Sequence, residues 1–158
     1  MITIKSYGNA TQTQMVKLKS ALDLANIANK SSAFKDKVMT AKFTETTDDN
    51  ATIYANTQKD VGISVTFYTP GFWERMKAKL SGWSEVAAES GDGSVTFNSM
   101  IFAQNSVSAL ANTLAHEGMH SPEHGSYTHE FNPTPQRPMS VPYAIGTFTQ
   151  QVVESKSY

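Results

Sequence analysis

The chain has 158 residues, 39% of them apolar and 10% aromatic, which is enough to close one hydrophobic core and too few for two, so a single domain is expected. Its 13 basic and 14 acidic side chains leave a net charge of -1, with no excess to hold a nucleic-acid backbone or an anionic bilayer. There is no cysteine, so disulfides and thiolate ligands are excluded and any metal must be held by His, Asp or Glu.

No stretch approaches the roughly 20 consecutive apolar residues that a membrane helix needs. The lysines near the N-terminus have no apolar run behind them of the kind a cleavable secretory signal carries. The expectation is a soluble protein, cytoplasmic or exported by a route that needs no such signal.

In chain order, Met15, Leu18, Leu22, Ala25 and Ile27 recur mostly at three- and four-residue intervals, which predicts a helix over 12–28. A second helix is expected over 33–39, followed by a turn in the polar run TETTDDN. Segments 51–55 and 61–69 are rich in Ile, Val, Thr, Phe and Tyr and flank a polar stretch, so they read as a β-hairpin. The alternation of Val61, Ile63, Val65 and Phe67 gives the second strand one buried face. Thr69 and Pro70 form a cap and first-turn pair for a short helix to about residue 80.

GDGS at 91–94 is a turn, and 95–102 holds enough β-formers for a further strand. Asn105 and Ser106 offer caps for the helix that follows. The tail over 132–142, with four of the six prolines, reads as irregular, before a last helix over 145–153. Trp73 and Trp83 are read as core anchors.

The helix after Ser106 carries the chemistry. In SVSALANTLAHEGMH the positions Val107, Leu110, Ala111 and Leu114 form one apolar stripe, while His116 and His120 project roughly opposite it. Their i, i+4 spacing lets both imidazoles reach one ion. Glu117 stands about one helical step from His116, where its carboxylate can reach a water on the ion rather than the ion itself. With 4 histidines in the chain, an HExxH string arises by chance in roughly one such sequence in two hundred, and all four histidines lie between 116 and 129.

His116-Glu117-Gly118-Met119-His120, on a helix after a strand, resembles the active-site helix of the zincin metallopeptidases. The resemblance covers the motif and some 30 residues around it. It implies an α+β, zincin-like domain with a small twisted, mostly antiparallel sheet and the active-site helix packed against it. It implies zinc (Zn2+) held by His116 and His120, Glu117 as general base and acid, and a peptide or protein substrate. The segment 95–102 would serve as the edge strand that pairs with an extended substrate. The extended HExxHxxGxxH form is absent, since Glu123 and Ser126 stand at the corresponding glycine and histidine positions.

The third ligand stays open among His124, His129, Glu123, Glu130 and Glu154. Pro122 should turn the chain out of the helix just after His120, and Gly125 supplies a turn through which His129 could return instead of His124. Glu154, on the last helix, matches the zincin branch that takes a later glutamate. Glu123 and Glu130 read as solvated carboxylates or as acceptors for a ligand imidazole. Met139, between two prolines, loosely resembles the methionine turn of metzincins and reads first as a packing residue. Tyr127 and Tyr143 are candidates for an oxyanion donor.

Two other classes fit the same residues: a hydrolase of a non-peptide or cell-wall amide, and a non-catalytic module in which His124 and His129 close a structural zinc site. The size and motif also suit a toxin or effector, or a phage-encoded hydrolase.

Overall fold

A computed structural model describes residues 1–71, 94–129 and 139–158. Three strands form one sheet in the order β1 (Ile2–Gly8), β2 (Val61–Tyr68), β3 (Ser94–Asn98), and both pairings are parallel. Ile2 is in register with Val61 and Val65 with Val95. Between β1 and β2 run α1 (Gln12–Lys30), α2 (Ser32–Thr40) and α3 (Asn50–Thr57). After β3 come α4 (Ser99–Gln104), α5 (Val107–Gly118), a 3-10 turn (Pro122–His124) and α6 (Val141–Ser155).

The α+β composition matches the sequence reading, but the mostly antiparallel sheet does not. The hairpin expected over 51–69 has no first strand, because its first half is α3. Asp49 caps that helix by accepting from the Thr52 amide, and Ile53 is fully buried, so tertiary packing outweighs the strand preference of Thr52, Ile53 and Tyr54. The neighbour of β2 is instead β1, reached through a helical crossover of the kind parallel strands require. The alternation of Ile2 and Ile4 was the available signal for β1, which the sequence reading passed over.

β2 buries Val61, Ile63, Val65 and Phe67 on one face. β3 is shorter than the expected 95–102, since the Asn98 side chain accepts from the Met100 amide and starts α4 there. Phe102 of α4 then packs edge-on against Phe67 and Phe97, with ring centroids 4.9 and 5.1 Å apart. Among the described residues β3 is one edge of the sheet. The helix expected over 70–80, Trp73, Trp83 and most of the GDGS turn lie outside the described residues.

α5 is held between α1 and α6 and touches β1 and β2. Its capping serine, Ser106, accepts from the Ala109 amide. Leu110, Ala111, Leu114 and Ala115 are buried against Leu18, Ala21 and Ala25 of α1 and Ile145 and Val152 of α6 within one core. At the α5–α6 crossing a Cβ on Gly146 would lie 2.9 Å from the Asn112 carbonyl oxygen, so only glycine lets the two backbones approach this closely. α6 begins at Val141, four residues before the expected start. Pro142 sits in its first turn, where the missing N–H costs nothing. Among the described residues no helix is long and apolar enough to cross a membrane.

Candidate metal centre

α5 ends at Gly118, and the chain tightens into i to i-3 hydrogen bonds from Met119 to His116 and from His120 to Glu117. Ser121 is extended, as the residue before a proline should be, and the 3-10 turn follows. Gly125 and Ser126 then take left-handed conformations, with φ of 108° and 52°. Two such residues in succession reverse the chain. The Ser126 amide donates to Ser121 O and the Tyr127 amide to Met119 O, at 2.9 and 3.0 Å, which closes the loop on the end of the helix. His129, two residues further, comes back beside His116 and His120.

One donor atom from each of His116, His120 and His129 lies within 4.8 Å of the others, so this group could hold a metal ion. The three ring centroids are 5.1 Å apart in every pair, an equilateral arrangement. Nε2 of His116 and Nε2 of His129 are 3.2 Å apart. Two nitrogens on a tetrahedral ion, each at 2.0–2.1 Å, stand about 3.3 Å apart, so the pair has the separation a shared ion requires. His120 donates from Nδ1–H to the Tyr127 carbonyl oxygen at 2.6 Å, which leaves its Nε2 unprotonated and available as a ligand atom.

Burial sets the charge state of these groups. It pushes the His116 imidazole down to about 3, helped by His120 and His129, so that this ring is neutral at ordinary pH. The His120 ring is lowered by burial as well, partly offset by its hydrogen bond to Tyr127. Neutral imidazole is the ligating form. Glu117 is 7% exposed, and burial raises its carboxyl to about 8.

Tyr143, in the first turn of α6, stands beside two of the three histidines. Its ring centroid is 4.7 Å from that of His116 and 4.6 Å from that of His129. Burial, then the nearby Glu117 and Glu45 carboxylates, raises its phenol above the usual range, so the hydroxyl keeps its proton.

The other sequence candidates lie elsewhere. His124 is 1% exposed, and its Nε2–H donates to the Lys59 carbonyl oxygen at 2.9 Å. A Cβ on Gly118 would meet His124 Nδ1 at 3.6 Å, and Gly118 is roughly 200° round the helix from both His116 and His120. His124 therefore packs against the side of α5 away from His116 and His120. Glu154 accepts from Ser108 and Gln150, at the opposite end of α5, about 12 Å along the axis from His116. Glu123 is exposed on the 3-10 turn, and Glu130 is outside the described residues. Tyr127 has its hydroxyl committed to Asp48 and Asn56. Met139 accepts at its carbonyl from the Thr44 amide, next to a single parallel bridge between Thr44 and Ser140.

In comparisons with known proteins, no family model, no curated protein and no solved structure matches this chain.

Proposed function

We propose that this protein is a zinc-dependent hydrolase of amide bonds, with a peptide or protein as substrate. The observation that carries the reading is the meeting of three imidazoles around one point, with a buried carboxylate on the residue next to the first of them. Neutral nitrogen donors suit zinc, and three protein ligands are the usual number at a catalytic zinc site. The reading rests on the site rather than on the sheet, whose strands run parallel.

His116, His120 and His129 would hold the zinc, which when bound would supply Lewis acidity to a carbonyl and lower the pKa of water at the site towards about 7. Glu117 receives the proton as the water oxygen bonds to the carbonyl carbon, and passes it to the departing amine nitrogen as the C–N bond breaks. A carboxyl held near 8 by burial takes up a proton more readily than an exposed one, and an adjacent cation draws it back towards ionisation. Tyr143, whose ring packs against those of His116 and His129 and whose phenol stays protonated, is the candidate donor to the negative charge that develops on the carbonyl oxygen. Tyr127 cannot share that role while its hydroxyl serves Asp48 and Asn56.

The competing reading as a closed structural site needs a fourth protein donor, and His124, its natural supplier, is turned towards Lys59. Glu117→Gln tests the proposal: casein hydrolysis should be abolished while zinc content stays near the wild-type level. Full activity in the glutamine variant would remove Glu117 from the mechanism. Activity on purified wall material but not on casein would move the substrate to a cell-wall amide.

A further inference from the structure

Tyr127 connects the candidate metal centre to a distant part of the fold. Its carbonyl oxygen accepts from His120 Nδ1–H at 2.6 Å. Its side chain runs the other way, 7% exposed, and its hydroxyl donates to Asp48 at 2.6 Å while accepting from the Asn56 amide at 2.8 Å. Lys59 Nζ in turn donates to Asn56 Oδ1 at 2.6 Å. Asp48 precedes the α3 cap and Asn56 lies within α3, so the phenol is clamped from α3 and the residue just before its cap.

The loop is built around this clamp. A Cβ on Gly125 would lie 2.7 Å from the Tyr127 ring and 2.9 Å from Asn56 Nδ2, and the residue has φ of +108°, so glycine is required there on both counts. The Tyr127 amide, bound to Met119 O, fixes the other side of the same peptide segment. The carbonyl that meets His120 is thus held by three anchors: Asn56 in α3, Asp48 just before its cap, and Met119 at the end of α5. A carbonyl in a fixed place selects both the ring orientation and the tautomer of a ligand histidine.

We propose that Tyr127 is a positioning residue for the metal centre: its phenol, clamped by Asp48 and Asn56, fixes the carbonyl that orients His120 and keeps Nε2 free to bind the ion. The inference rests on the metal-binding reading above and adds to it a support reaching from α3.

Two readouts test it. Long-range nitrogen–proton NMR of the metal-free protein reports the His120 tautomer, and titration with cobalt(II), followed by its visible absorption, reports affinity. Wild type should carry the proton on Nδ1 of His120 and bind cobalt. Tyr127→Phe should show mixed tautomers and about 10- to 100-fold weaker cobalt binding. Asp48→Ala, a change at an exposed residue that should not prevent folding, should shift both in the same direction. Thr149→Val serves as control: it removes a buried hydrogen bond of 2.7 Å to Asn29, and should lower stability while leaving cobalt affinity and tautomer unchanged.

Wild-type affinity and tautomer in both Tyr127→Phe and Asp48→Ala would overturn the positioning role alone. Equal weakening in Thr149→Val would reduce it to general stability, and overturn it too. A wild-type protein that takes up no cobalt would overturn the metal reading itself, whatever the tautomer.

Discussion

Substituting Glu117 by glutamine should stabilise the metal-free protein, and should do so only on the alkaline side. Glu117 is buried, with its carboxyl raised from 4.5 to about 8, so the fold favours the protonated form. The stability tied to that proton is fully present below about 4.5 and is lost as pH rises through about 8. The difference between the two values corresponds to about 5 kcal/mol at full ionisation, as an upper figure. His116 acts in the opposite sense. Its value falls from 6.5 to about 3, so its contribution is present above 6.5 and is lost as pH drops towards 3.

Between about 4.5 and 6.5 the two effects nearly cancel, so these groups place the greatest stability of the metal-free wild type in that window. Urea unfolding of chelated, dialysed protein at about pH 5 and about pH 8 measures the difference. Glu117→Gln should match wild type within about 1 kcal/mol at the lower pH and exceed it by several kcal/mol at the higher. Parallel curves for the two proteins at both pH values would refute the argument that burial keeps this carboxyl protonated.

Other outcomes follow from the same geometry. Tyr143→Phe should lower kcat about 100-fold on a peptide substrate with little change in KM, since the hydroxyl is assigned to charge that develops only during reaction; unchanged kcat would remove it from the site. Gly146→Ala should cost about 1–3 kcal/mol in urea unfolding, because the added methyl meets Asn112 where α5 and α6 cross, and no loss would mean the helices can separate freely.

The pattern of what the sequence revealed has physical causes. Leu18, Leu22, Leu110 and Leu114 repeat along one helical face, so α1 and α5 were visible as local periodicity, and β2 was visible through alternation. α3 was missed because strand-favouring side chains concealed the Asp49 cap. With α3 read as a strand, an antiparallel hairpin followed, and the true partner, β1, lay almost 60 residues away in register. Pro142 made the start of α6 look irregular, although proline is at home in a first turn, and that error left Tyr143 without a position.

For the site, the i, i+4 spacing drew attention to His116 and His120 because a helix turns spacing into proximity. No such rule chose between His124 and His129. Their places depend on two left-handed residues in succession at Gly125 and Ser126, and on the contact of His124 with Lys59, which is 65 residues distant in sequence. The support of Tyr127 by Asp48 spans 79 residues and has no local sequence signal. Contacts of that range emerge from the packed chain alone.

The most direct test of the central claim is metal content by elemental analysis of protein purified without a metal-affinity tag, comparing wild type, His129→Ala and His124→Asn, each checked for folding by circular dichroism. The expected result is about one zinc per chain in wild type and in His124→Asn, and its loss in His129→Ala. No metal in wild type after incubation with zinc and removal of the excess, or metal retained without His129 and lost without His124, would contradict the assignment of His116, His120 and His129 as the ligand set.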